Sequence, residues 1–205
     1  LYQLADVTAC LGRLDEGIAM MRRVLAMEPL NASFHFYTGQ FLLAAGKPDA
    51  AVAELNRAIE LQPGAAGFHA YLAIALLQLG QSDQALRTAN DEPEAENRRW
   101  ALSTIHFARG ETAQGQAALD DMIRLDASWG PTNIAMVYAA IGSKDKAFAM
   151  LDRGLETRDP GVASIYEQPY LIPKLRGDPR LSALLKKLGL PAPDTLPATP
   201  PTPKP

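Results

Sequence analysis

Between residues 32 and 63 the apolar positions change their rhythm once. The first half, ASFHFYTGQFLLAA, is almost continuously apolar and carries no charged side chain. Gly46, Lys47 and Pro48 interrupt it, and the second half places Asp49, Glu54, Arg57 and Glu60 on one side of a helix whose other side is Ala50, Ala51, Leu55, Ala58 and Ile59. That pattern predicts two helices joined by a tight turn. The second helix is expected to turn its charged side to water.

The hairpin recurs. Glycines suited to closing a helix stand at Gly12, Gly46, Gly80, Gly110 and Gly142, at intervals of 34, 34, 30 and 32 residues, the period of a helix-turn-helix solenoid. Five units follow, near 1–31, 32–65, 66–95, 96–127 and 128–158. The best-formed unit has His35, Thr38, Gly39, Leu42, Ala51, Leu55 and Pro63 at the spacing of the tetratricopeptide pattern W-x2-L-G-x2-Y, A-x3-F, P. The third unit keeps it through His69, Leu72, Ala73, Leu76 and Ala85, and the fifth through Ile134, Ala135, Tyr138, Ala147 and Leu151. The chain therefore resembles the tetratricopeptide repeat family. The resemblance implies an all-α fold, a right-handed superhelical solenoid of about five hairpins.

Two stretches break the period. TANDEPEAENRR replaces an apolar stripe in the third unit and places Pro93 where a helix has to bend or stop. Its helix is expected to end near Ala89, leaving a joint between the first three units and the last two. After residue 158, Pro160, Pro169 and Pro173 forbid a long helix until Asp178 and Pro179 start one as N-cap and first helical residue. Leu181, Leu184, Leu185 and Leu188 give that helix an apolar face, opposite Arg180, Lys186 and Lys187, so residues 159–188 read as the C-terminal cap that an array needs. This ending also resembles the close of tetratricopeptide regions in bacterial multidomain signalling proteins, where such a region follows a winged-helix domain, a nucleotide cyclase or a protein kinase. Residues 189–205 are Pro-rich and read as an extended, mobile tail. Pro197 to Pro200 in it match P-x-x-P, as chance allows at this composition.

Composition narrows the partners. A net charge of -3 and the absence of a long apolar run argue against nucleic acid and against membrane insertion. The basic group Lys174, Arg176, Arg180, Lys186 and Lys187 lacks aromatic neighbours and reads as a solvated face. A first residue of Leu1 suggests an excised or processed chain, expected in the cytoplasm, or in the periplasm if a transmembrane segment lies upstream.

Catalytic chemistry is not in view. His35 and His69 occupy equivalent places in adjacent units, too far apart for one zinc ion, and His106 falls at a packing position. Cys10 has no Cys or His near it in sequence and reads as a small buried residue. No nucleophile elbow occurs, and Gly46 and Lys47 are followed by Pro48 where a phosphate loop needs Ser or Thr. Neither a metal nor a cofactor is expected, and the chain does not read as an enzyme.

The first helices of units two, three and five, at 32–45, 66–79 and 129–141, contain no Asp, Glu, Lys or Arg. In the family resembled, such helices line the concave surface. The inward places then fall on Tyr2, Phe36, Tyr37, Gln40, Tyr71, Ile74, Gln78, Trp100, Thr104, Phe107, Asn133 and Met136. The Lys and Arg that clamp a C-terminal carboxylate in well-known members are missing. The resemblance implies an interaction module taking a protein or peptide partner, an amphipathic helix or apolar segment, in an aromatic, uncharged groove. Three alternatives stay open: an apolar small molecule between Phe36, Tyr37, Tyr71, Trp100 and Phe107, a homodimer, and aromatics packed on one another or on the Pro-rich segment after residue 158.

Overall fold

A computed structural model describes residues 1–125 and 130–193. Among them every regular element is helical. Five antiparallel hairpins follow one another: α1 (Tyr2–Cys10) with α2 (Leu14–Met27), α3 (Ala32–Ala44) with α4 (Pro48–Leu61), α5 (Phe68–Gln78) with α6 (Ser82–Asn90), α7 (Ala95–Ala108) with α8 (Thr112–Leu125), and α9 (Pro131–Ala140) with α10 (Lys144–Thr157). Each hairpin packs on the next, α2 against α3 and α4 against α5, so the whole is an α-helical solenoid. The 34-residue glycines Gly12, Gly46 and Gly80 all have positive φ, which lets the chain reverse within two residues of a helix end.

Small residues set how closely the helices of a hairpin approach. A Cβ on Gly39 of α3 would lie 2.6 Å from Leu55 Cγ of α4. Gly39→Ala is therefore expected to destabilise the chain by about 1–2 kcal/mol, the overpacking cost exceeding the gain in helix propensity. A urea titration followed at 222 nm measures it.

The irregular stretch behaves differently from a loose joint. The sixth helix does end early, at Asn90, but the next residues are pinned. Glu92 is fully buried, and its carboxylate accepts hydrogen bonds from the backbone N–H of Gly67 at 2.8 Å, Ala70 at 3.0 Å and Glu94 at 3.2 Å. It thereby caps the N-terminus of α5 from the far end of the same hairpin. Its carbonyl accepts from Arg98 of α7 at 2.8 Å. The fifth hairpin uses the same device, since Asp159 just beyond α10 accepts from the N–H of Thr132 at the start of α9 at 2.8 Å.

After α10 the chain runs through α11 (Pro160–Ala163), a 3-10 turn (Ile165–Glu167) and α12 (Leu171–Leu175) to α13 (Pro179–Leu188). The last helix matches the cap pattern. Asp178 accepts from Arg180 N–H at 3.0 Å, and Leu181, Leu184 and Leu185 are buried. The Arg180 guanidinium stands 4.3 Å from the Phe148 ring of α10. Lys174, Arg176, Arg180, Lys186 and Lys187 are all exposed. Of the tail, residues 194–205, including the P-x-x-P match, lie outside the described residues.

Candidate functional site

Residues 160–175 do not only close the last hairpin. They form a strap that turns back under the array: the 3-10 turn packs on α1 and α3, and α12 packs on α9. Ile165, Tyr166, Tyr170, Leu171, Ile172 and Leu175 are buried, as expected when short helices broken by proline fill a surface that long helices cannot follow. Gln168 is also buried, hydrogen-bonding Ser164 Oγ at 3.4 Å. The Tyr166 hydroxyl donates to the carbonyl of Pro191, tying the strap to the segment beyond α13.

Against the strap lies a chain of aromatic rings. Tyr2 of α1 meets Phe34 at 5.4 Å and Tyr37 at 5.1 Å between centroids, Phe36 meets Tyr37 at 5.6 Å, Phe68 at 4.7 Å and Tyr71 at 5.3 Å, and Tyr71 meets Trp100 at 5.0 Å. These are ordinary packing distances for aromatic pairs. Gln40 Nε2 donates to the Tyr71 hydroxyl at 3.0 Å, and Gln78 is hydrogen-bonded to the Tyr170 hydroxyl of the strap. Burial pushes the Tyr71 phenol up to about 12 and raises Tyr2 and Tyr170 well above the usual tyrosine value.

The twelve inward places thus divide. Tyr2, Phe36, Tyr37, Gln40 and Tyr71 come together on the inner face, half-buried, and Gln78 stands at its rim. Ile74, Trp100, Thr104 and Met136 are core residues and not part of a free surface. The correction has a local cause for Thr104, whose hydroxyl is spent on the carbonyl of Trp100 one turn back at 3.0 Å. Phe107 faces its own hairpin instead, where a Cβ on Gly115 of α8 would stand 2.8 Å from its ring. Asn133 is half-buried on α9. Phe36 touches Tyr37 and Tyr71, and Tyr71 touches Trp100, so these rings pack on one another.

A polar contact that sequence reasoning did not find sits in the middle of the strap, at the 3-10 turn. The Cys10 thiol of α1 donates to Glu167 Oε1 at 3.1 Å across 157 residues. Burial raises Glu167 from an ordinary 4.5 to about 7, its bond from Cys10 offsetting part of that and the nearby Asp6 adding to it. Burial and the Glu167 carboxyl push the Cys10 thiol up to about 12, so it is protonated at neutral pH and no nucleophile. One signal was available: Glu167 is the only charged residue between 162 and 173.

His35 and His106 have structural partners, whereas the buried Nδ1 of His69 has no hydrogen bond. His35 Nδ1 is 2.7 Å from Glu54 Oε2, with Nε2 3.0 Å from the Pro29 carbonyl, and His106 Nδ1 is 2.6 Å from Glu111 Oε2. Among the described residues no group of His, Cys, Asp and Glu could hold a metal ion, and no helix is long and apolar enough to cross a membrane.

Stacked antiparallel hairpins with small residues at the crossings and charged outer helices define a helical-repeat protein. Two tetratricopeptide repeat models match the sequence, over residues 2–66 and 42–98, and the same hairpin geometry continues to Thr157. Residues 2–98 are thus tetratricopeptide repeats, and the repeats support a protein–protein interaction module. No curated protein matches it significantly. Among solved structures it is similar to a crystal structure of MamA, with a TM-score of 0.52 and 18% identity over 76% of this chain and 95% of that one. A second MamA structure matches with a TM-score of 0.52 and 18% identity over 78% of this chain and 90% of that one. At that identity the likeness is one of fold.

Proposed function

We propose that this chain is an interaction scaffold whose hollow is its own core and whose partners dock on outer helix faces, in the regulatory or scaffolding part of a larger bacterial signalling protein, as the resemblance of its C-terminal segment implies. The strap carries this reading. Fully burying a large apolar side chain contributes about 1.5–3 kcal/mol, and six strap residues are buried beneath the array. Clearing them for a partner peptide would cost about as much as the ~5–15 kcal/mol that holds a typical domain folded. An apolar small molecule in the hollow would meet the same barrier.

The test is a competition. Ile165→Val loosens the strap by about 1 kcal/mol, which raises the population of any strap-open form roughly fivefold. Affinity of the full chain for a co-purifying protein, measured by titration, is expected to be unchanged. A several-fold gain would show that partner and strap compete, and would return the binding site to the inner face.

A further inference from the structure

A short turn, Glu28 to Asn31, joins the first hairpin to the second between α2 and α3. The end of α4 arrives beside it, and Glu28, Pro29, Leu30, Ala32, Leu61 and Gln62 line an open crevice of about 710 Å³. That size falls in the roughly 300–1,000 Å³ range of sites that take a ligand group. No strap residue lines it. Leu30 stands 71% exposed on its wall. Repeat packing does not ask for that leucine: shifted by the 34-residue period, Pro29 falls on Pro63 but Leu30 falls on Gly64.

The crevice is also electronegative. Two helices end at it, α2 at Met27 and α4 at Leu61, and an α-helix leaves its last carbonyls unpaired, with about half a negative charge at that end. Neither helix has a basic residue in its last turn to offset this. Residues 24–34 and 58–66 contain Glu28 and Glu60 and no Lys or Arg. Glu60 is met by Arg57 at 2.9 Å. Glu28 is held at the crevice by Asn31 Nδ2 at 3.3 Å and has no cation beside it. The positive N-terminus of α3 is already capped, Asn31 accepting from the N–H of Phe34 at 3.3 Å.

We propose that this crevice docks a partner segment that carries an apolar side chain with a lysine or arginine next to it. The apolar side chain lies against Leu30 and Leu61, and the cation meets Glu28 and the carbonyl ends of α2 and α4. The same charges repel an acidic segment, so they select among partners as well as hold one. The inference rests on the reading that partners dock outside the hollow, and gives that reading a place and a chemistry.

Selection of phage-displayed random dodecapeptides on the full chain, followed by titration of the enriched peptides after synthesis, tests it. Those peptides are expected to hold Leu, Ile, Met or Phe within two residues of Lys or Arg. Leu30→Arg, at a site open to solvent, should keep the melting temperature within about 2 °C and weaken binding about tenfold or more. Glu28→Gln, which keeps an oxygen for Asn31, should weaken it by roughly three- to tenfold, and raising NaCl from 0.05 to 0.5 M should act on wild type in the same direction. No enrichment, or enriched peptides without a cation, would overturn the proposal. Peptides whose binding responds to Ile165→Val but not to Leu30→Arg sit on the inner face, and would overturn the outer-docking reading with it. Peptides that respond to neither variant would overturn this inference alone.

Discussion

Glu92→Leu is expected to destabilise the chain by about 3–5 kcal/mol. The substitution keeps the volume of a buried side chain, so no cavity accounts for the loss. It removes the acceptor for the N–H groups of Gly67, Ala70 and Glu94, and each buried N–H left unpaired costs about 1–3 kcal/mol. Two of these groups belong to the first turn of α5, where the partial positive charge of the helix end adds to the demand for an anion. Glu92→Gln retains one carboxamide oxygen but sets an NH2 against N–H donors, and should fall between wild type and the leucine variant. Denaturant unfolding measures all three. The damage should also be local at first: amide exchange is expected to speed up in residues 67–72 before it does in α9 and α10. Equal stability of Glu92→Leu and wild type would mean that the three N–H groups find other acceptors.

That role for Glu92 marks where sequence reasoning stops. Hairpin boundaries were legible because each rests on a local signal: Gly46 and Pro48 turn α3 into α4, and Asp178 with Pro179 starts α13. Local signals of this kind act within four or five residues. The DEPEAE stretch carries the opposite message, a loss of pattern, and reads as a weak joint. Whether it is weak depends on what its acids meet, and Glu92 meets residues 22 and 25 positions away. The inner face shows the same limit. The resemblance to the repeat family put Tyr2, Phe36, Tyr37 and Tyr71 on one surface, and they do form one continuous set of rings. Period could not say that residues 160–175 lie across it, because a strap broken by Pro160, Pro169 and Pro173 has no helical rhythm and its contacts with α1 span about 157 residues. Packing of those aromatics on the Pro-rich segment was among the open alternatives, and only the long-range contacts distinguish it from an open groove.

Raising the pH from 5 to 8 is expected to cost the wild-type chain about 3 kcal/mol of stability relative to its Glu167→Gln variant. Glu167 is only 8% exposed, its carboxyl accepts a hydrogen bond from the Cys10 thiol, and Asp6 stands nearby. Its carboxyl is raised from 4.5 to about 7 in the fold, chiefly by burial. The sign follows from which state holds the proton. Below about pH 4.5 folded and unfolded chains are both protonated at this site, and its contribution is fully present. As pH rises toward 7 the unfolded chain gives up the proton while the fold retains it, so stability falls. Above about 7 both states are ionised and the curve flattens. A difference of that size in proton affinity is worth about 3 kcal/mol at 1.36 kcal/mol per pH unit. Glutamine mimics the neutral acid and cannot ionise, so its stability curve should lack this fall and the variant should be the more stable protein at pH 8. Comparing the two chains also removes the carboxylates whose shifts run the other way, Asp178 and Glu111 beside their arginines, which lose their contribution at acid pH in both. Parallel curves for the two proteins between pH 5 and 8 would show that water reaches Glu167 and that the strap seals α1 less tightly than its burial implies. A fall confined to wild type would tie the loss to the seam between the strap and α1, where exchange at residues 165–168 should rise with pH ahead of the rest of the array.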